Sequence, residues 1–252
     1  MDGPPLEPCE SLPWDSQFFG FSVARVRSRV LDPVIAREVD EWCCRRGVSC
    51  LYFLARADDG VTTRTAEDAG YRLVDVRVTL ERETTDADQG RFELAGMRQA
   101  RPDDAGVLGE TARVSYRDTR FHYDPNIPLA QSDALYQRWI ELSIEGYADA
   151  VFVTEDERGA TGYVSCHLNA AEHCGTIGLV GVVERARGRS VGRRLVEGAL
   201  GWFTVKGMRG ASVVTQGRNV AAQRLYQRCG FVTRSVELYY HKWYVLQRSK
   251  HE

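Results

Sequence analysis

The sequence predicts a mixed α/β fold, with one central sheet flanked by helices. Three observations carry it. Runs of alternating or continuous apolar residues recur through the chain and are separated by Gly, Pro, Asn and Asp. Amphipathic helical segments interrupt them. Near the C-terminus, three long strand-like runs are followed by a strand-helix-strand crossover, which requires parallel as well as antiparallel neighbours.

Residues 17–81 read as strand, helix, strand, helix, strand. The first helix is Pro33–Arg46, with Val34, Ile35, Val39 and Trp42 on its apolar face and Asp32 as N-cap. A strand at Ser49–Leu54 and a short helix at Thr62–Ala69 follow, the latter closed by Gly70. Tyr71–Glu81 is the next strand. Glu81–Arg91 is polar and reads as a linker, so residues 1–86 form a smaller N-terminal domain and 92–252 the main one.

The second half begins with a strand at Phe92–Arg98 and a helix opened by Pro102, running to Ser115. Tyr116–Ala130 holds Pro125 and Pro128 and reads as a loop. Ser132–Tyr147 is helical. Strands are expected at Val151–Glu155, Thr161–Leu168 and Thr176–Val183. A helix at Ser190–Val205, a strand at Ala211–Gln216, a helix at Asn219–Cys229 and a strand pair over Phe231–Tyr244 complete the order.

Composition narrows the functional classes. The 252 residues are 43% hydrophobic and 27% charged, with a net charge of −2, which argues against a nucleic-acid binder. No apolar run reaches the ~18 residues of a membrane span. Met1–Glu10 is acidic and Pro-rich, unlike a secretory leader. Seven cysteines, without a CxxC pair or zinc spacing, predict reduced thiols, a cytoplasmic location and no metal site.

Two segments carry chemistry. In the first, five arginines fall within Arg185–Arg194, where a strand runs into a turn and then a helix with Val191, Leu195, Val196, Ala199 and Phe203 on one face. The first turn of a helix has N–H donors without partners, and its dipole favours an anion by ~0.3–1 kcal/mol. Helices ordinarily prefer acids there, so a cationic start predicts a bound anion, with Gly188 and Gly192 allowing close approach. Gly178 and Gly181 in the preceding strand fit either tight packing or a bulge that frees main-chain groups near Gly181–Val183 for an amide-bearing ligand. In the second segment, Asn219 caps a helix on which Tyr226 lies two turns along; such a tyrosine is a core residue or a proton donor.

There is also a weak internal repeat. Ala66–Tyr71 lines up with Tyr226–Phe231, each a helix end, Gly, aromatic and strand, but Ala66 stands where Tyr226 does and the first half has no basic Gly-rich turn.

Arg187-Gly188-Arg189-Ser190-Val191-Gly192 resembles the pyrophosphate motif Arg/Gln-x-x-Gly-x-Gly/Ala of the GNAT acyltransferase superfamily. Asn219, Ala222, Leu225, Tyr226, Gly230 and Phe231 resemble its Asn-x-x-Ala-x-x-Leu-Tyr-x-x-x-Gly-Phe motif. Ser190 departs from the first Gly, a change that a small residue accommodates where φ is negative. Trp14–Phe21 with Ala24-Arg25, the loop Ser115–Tyr123 and Tyr136–Ile140 are similar to the dTDP-fucosamine acetyltransferase family.

The resemblance implies a GNAT fold with a degenerate N-terminal half, acetyl-CoA as cosubstrate, a dTDP-linked amino-dideoxy sugar as acceptor and a homodimer. Arg187, Gly188, Arg189, Ser190, Val191, Gly192 and Arg193 are then expected to hold the pyrophosphate. Gly181, Val182 and Val183 would hold the pantetheine, with Asn219 beside it and a main-chain N–H near Val183 at the oxyanion. Tyr226 matches the general acid. Arg120, Phe121, His122 and Tyr123 of the loop, and His167 on a strand, are candidates for the acceptor side. Other amines, a longer acyl-CoA, or an acyl-CoA-binding module without turnover are the competing readings.

Overall fold

The computed structural model describes residues 7–244; the reading of Met1–Glu10 falls mostly outside them. Elements follow the order β1 (Cys9–Ser11), α1 (Pro13–Phe19), β2 (Val23–Val26), α2 (Pro33–Arg46), β3 (Cys50–Arg56), α3 (Gly60–Asp68), β4 (Arg72–Glu83), α4 (Arg91–Leu94), β5 (Arg98–Gln99), α5 (Ala105–Ser115), α6 (Arg120–Tyr123), α7 (Leu129–Leu142), β6 (Ala150–Asp156), β7 (Gly159–Asn169), β8 (Cys174–Val182), α8 (Val191–Val205), β9 (Gly210–Gln216), α9 (Val220–Arg228) and β10 (Val232–Trp243).

The chain forms two compact units. The first runs to Arg77 and includes Tyr123–Pro125 and the chain from Val236; the second is Val78–His122 and Asn126–Ser235. This division is not the linear one expected at residues 86–92, because two long strands, β4 and β10, each contribute to both units.

In the first unit the strand order is β1-β2-β3-β10, with β2 and β3 parallel and β3 and β10 antiparallel. Its core gathers Val39 and Trp42 of α2, Leu51 and Phe53 of β3, and Tyr71, all nearly inaccessible. Asp32 caps α2 as expected, accepting from Val34 N and Ile35 N at 2.8 Å each. Helix α1 was not foreseen. It starts at Pro13 without a side-chain cap, and its Trp14 and Phe18 rings stack at 5.3 Å.

In the second unit the order is β4-β9-β8-β7-β6-β5. β6, β7 and β8 are antiparallel neighbours, whereas β8 and β9 are parallel. The predicted apolar stripe of α8 is buried throughout: Val191, Leu195, Val196, Ala199 and Phe203.

The expected linker is structured. β4 extends to Glu83, and Asp88 in a following 3-10 turn is fully buried. Its carboxylate accepts two 2.8 Å bonds from Arg82 and pairs with Arg91 at 3.1 Å, so the buried charge is compensated on both sides. Phe92–Arg98 is a helical turn and a two-residue strand, not one strand. This segment presses on α8 so closely that a Cβ at Gly201 would come within 2.6 Å of Phe92 N, and one at Gly198 within 2.2 Å of Met97. The last strand pair is instead the single strand β10.

Candidate functional site

The site is built where β8 leaves β9. Their parallel pairing runs from Cys174–Gly210 to Ile177–Val213; among the described residues β8 continues to Val182 and β9 to Gln216 without further pairing between them. The main chain of β8 beyond Ile177 therefore has one side engaged by β7 and the other open. Val183 N donates to Thr161 O at 3.0 Å. By the alternation of antiparallel strands, Val182 and Val180 then turn their N–H and C=O groups away from β7. Of the N–H groups near Val183, its own is therefore taken, and the outward donors are those of Val182 and Val180.

The bulge lies at the first of the two strand glycines, Gly178. The β7–β8 register shifts between Val164 and Cys166, opposite Gly178 and Leu179, and Ser165 Oγ accepts from Leu179 N at 2.8 Å. Gly181 sits in regular pairing with Tyr163, and a Cβ there would approach the Tyr163 ring to 2.4 Å. Its small size makes room for that buried ring.

After β8, a 3-10 turn at Glu184–Ala186 and Gly188 in the left-handed region (φ +74°) bring the chain to α8. Ser190 is also left-handed, at φ +59°, contrary to the negative φ its presence suggested. An L-residue there carries roughly 1–2 kcal/mol of strain. Its side chain makes no capping bond, so the first-turn donors of α8 stay open.

A cleft of about 490 Å³ opens at this point. Val182, Arg187, Gly188, Ser190, Val191, Gly192 and Arg193 line it, seven of the residues predicted to bind a cofactor. The opposite wall is α9, through Ala221, Ala222, Leu225 and Arg228. No carboxylate is among the lining residues, and three are arginines. Arg187 donates to Val182 O (3.2 Å) and Ser115 Oγ (3.3 Å), and Arg193 to Glu197 (2.9 Å). Gly181, Val183 and Arg189 flank the cleft in sequence without lining it. Asn219 caps α9, accepting from Ala222 N at 3.0 Å.

Tyr226 is buried on α9, edge-on to Phe231 at 6.0 Å. Burial, with Cys229 beside it, raises its phenol above the usual tyrosine value, so it remains a proton donor at neutral pH. Two tyrosines not singled out in the sequence accompany it. Tyr163 donates to Tyr116 Oη at 3.3 Å, and the Tyr116 ring stacks on Tyr136 at 4.5 Å. Desolvation, Tyr163 and then Tyr226 push the Tyr116 phenol up as well. Arg228 was also missed, although Ala221, Leu225 and Arg228 share one helical face by their spacing.

Four of the acceptor-side candidates form α6, and the fifth, His167, is on β7. His122 is held between Thr119 Oγ1 (2.8 Å) and Asp133 Oδ1 (3.0 Å). Phe121 is buried with Arg120 over its ring at 4.3 Å. Tyr123 falls in the other unit and is exposed. His167 is half-buried against Tyr147, and desolvation lowers its pKa, favouring the neutral ring.

Outside this site, the first unit groups Cys50, Asp124 and His241, whose ligand-type atoms lie within 4.8 Å of one another. Sequence spacing gave no hint of it. His241 Nδ1 (2.6 Å) and Trp243 Nε1 (2.8 Å) both reach Asp124 Oδ2, a network that satisfies a buried carboxylate. All seven cysteines are free thiols.

The profile of the Acetyltransferase (GNAT) family matches residues 115–231, the segment that contains the cleft, both motifs and Tyr226. The chain carries a GNAT acetyltransferase domain. That domain is of a family of acetyltransferases that use acetyl-CoA as cosubstrate. Among curated proteins it is 27% identical to dTDP-fucosamine acetyltransferase of Escherichia coli O6:H1, over 88% of this chain and 92% of that one. It is also 27% identical to the spore coat polysaccharide biosynthesis protein SpsD of Bacillus subtilis, over 56% of this chain; that match spans about half (48%) of the relative's length.

Two solved structures share the fold. A GCN5-related N-acetyltransferase from Sphaerobacter thermophilus superimposes with a TM-score of 0.65 at 19% identity, covering 93% of this chain and 76% of the other. A tandem GNAT protein from the clavulanic acid biosynthesis pathway gives 0.58 at 14% identity, covering 88% and 75%. The GNAT mixed sheet with flanking helices is the fold expected from the sequence. Among the described residues no helix is long and apolar enough to cross a membrane.

Proposed function

We propose that this acetyltransferase acetylates the amino group of a nucleotide-linked, dTDP-type amino-dideoxy sugar, by direct transfer with both substrates bound. The observation that carries the transfer is the cleft itself: an uncapped helix start, three arginines, no carboxylate, and the end of β8 at Val182, beyond its pairing with β9. The acceptor class rests on the dTDP-fucosamine acetyltransferase likeness, which spans most of both chains.

The donor set fits acetyl-CoA. The first-turn amides of α8 with Arg187, Gly188, Arg189, Ser190, Val191, Gly192 and Arg193 would hold the pyrophosphate. The open main-chain groups of β8 near Gly181, Val182 and Val183 would pair with the pantetheine amides, with Asn219 beside them. Bound acetyl-CoA supplies the thioester that the sugar amine attacks. The outward N–H of Val182 steadies negative charge on the carbonyl oxygen, a contact of a kind worth roughly 10²–10³ in rate. Tyr226 gives its proton to the departing sulfur. His122 and His167 are the side chains nearest in chemistry to a base for the amine, though the bonds of His122 to Thr119 and Asp133 commit it to positioning α6 against α7.

The first unit, in the same reading, is a degenerate GNAT copy that keeps the framework and lacks the anion site. A cytoplasmic homodimer completes the proposal.

The test is release of free CoA from acetyl-CoA with dTDP-linked 3-amino- and 4-amino-dideoxyhexoses. Turnover with one of them supports the acceptor class. Binding of acetyl-CoA without turnover of either overturns it and turns the search to other amines, longer acyl-CoAs or a binding module.

A further inference from the structure

One of the three arginines lining the cleft does not stand at the α8 start. Arg187 and Arg193 stand beside that helix start, and both have protein partners that orient them. Arg228 comes from the facing wall, at the end of the stripe Ala221–Leu225–Arg228 on α9. The small side chains of Ala221 and Ala222 keep the space between the two walls open.

A cation in the last turn of a helix ordinarily serves the C-terminal carbonyls. That role is already taken here: Arg82 donates to the Cys229 carbonyl at 2.7 Å. Arg228 instead lines the cleft, is exposed, and makes no ion pair among the described residues. The cleft thus presents a guanidinium on α9 in addition to those beside the start of α8.

We propose that Arg228 binds the ribose 3′-phosphate of CoA and so makes the enzyme select CoA over 3′-dephospho-CoA. The proposal rests on the acetyl-CoA reading of the cleft. CoA has two anionic centres on one ribose, the pyrophosphate at the 5′ position and the monoester at 3′. The first suits the backbone amides of α8; the second, a dianionic monoester, suits a guanidinium fork. Arg224, one turn earlier on α9 and equally exposed, does not line the cleft and makes the matched control.

Dissociation constants of CoA and 3′-dephospho-CoA are measured by calorimetry for the wild type, Arg228→Gln and Arg224→Gln. The wild type is expected to bind CoA about ten- to hundredfold more tightly than 3′-dephospho-CoA, the range for one charge-assisted pair. Arg228→Gln should remove that ratio by weakening CoA alone, with an unchanged melting temperature, while Arg224→Gln keeps it. Equal affinities in the wild type overturn the proposal, as does a ratio that survives in Arg228→Gln or falls equally in Arg224→Gln. If neither nucleotide binds the wild type, the acetyl-CoA reading fails and this one with it. Tight binding of both in the wild type separates the two.

Discussion

Two stretches of this chain repeat one plan, and only the second lines the cleft described above. β2-α2-β3-α3-β4 and β8-α8-β9-α9-β10 both run strand, helix, parallel strand, helix, strand. Their second helices leave by the same turn. Gly70 N bonds Glu67 O and Tyr71 N bonds Ala66 O at 3.0 and 2.9 Å; Gly230 N bonds Gln227 O and Phe231 N bonds Tyr226 O at 3.0 and 3.1 Å. Gly70 and Gly230 are both left-handed, at φ +81° and +87°. The difference lies at the first helices. The donors at the start of α2 are taken by the carboxylate of Asp32, a built-in anion, whereas α8 starts at Ser190 with no side-chain bond. At the second helices, Ala66 stands where Tyr226 does. A shared backbone thus supplies the frame, and a few side chains decide whether the helix start is closed or open to a ligand.

The largest effect should come from erasing the second difference. Tyr226→Phe keeps the ring that packs on Phe231 and removes only the hydroxyl. We expect kcat to fall about 10²–10⁴-fold, the span of a general acid, with acetyl-CoA affinity kept. The pH profile sharpens this. Because burial raises the Tyr226 phenol, the acid form persists as pH rises, so the wild-type kcat should show no alkaline limb up to about pH 10, the ordinary tyrosine value. A loss of less than tenfold, or a limb near pH 8, would return Tyr226 to the core.

The first difference can be erased by writing the α2 solution into α8. Ser190→Asp puts a carboxylate at the open helix start, and Asp tolerates the left-handed backbone found there. Acetyl-CoA affinity should fall about ten- to hundredfold, or ~1.4–2.8 kcal/mol, from like charge against the pyrophosphate. Ser190→Asn has the same shape without the charge and should lose much less. Equal losses in a binding titration would show that shape, not charge, governs the cleft.

The helical part of this plan was legible in the sequence, for local reasons. Asp32-Pro33 and Asn219 are capping signals, and the 3.6-residue apolar period of α8 needs no knowledge of its partners. The arginine-rich turn was legible because cations at a helix start contradict the dipole unless an anion is bound. What escaped depends on neighbours distant in sequence. Phe92–Arg98 is too short for its period to separate strand from helix, and its turn is set by Gly198 and Gly201 of α8. Which N–H near Val183 is free depends on Thr161, in another strand. The pairing of Tyr163 with Tyr116, and the place of Arg228 on the cleft wall, appear only once β7, α5 and α9 are assembled.

The smallest effect tests whether the closed helix start has any part in the chemistry. Asp32→Ala removes the two 2.8 Å bonds to Val34 N and Ile35 N. Such a cap is worth about 0.5–2 kcal/mol, and for a protein of this size each kcal/mol moves the melting temperature by roughly 2–4 °C. We therefore expect a lowered melting temperature with acetyl-CoA affinity and kcat unchanged, because the carboxylate does no more than close its own helix. If Asp32→Ala instead weakens acetyl-CoA binding tenfold, the first unit shares in the site. Its retention would then be functional, and the plan common to both stretches would mark two cooperating sites in place of one site and its closed counterpart.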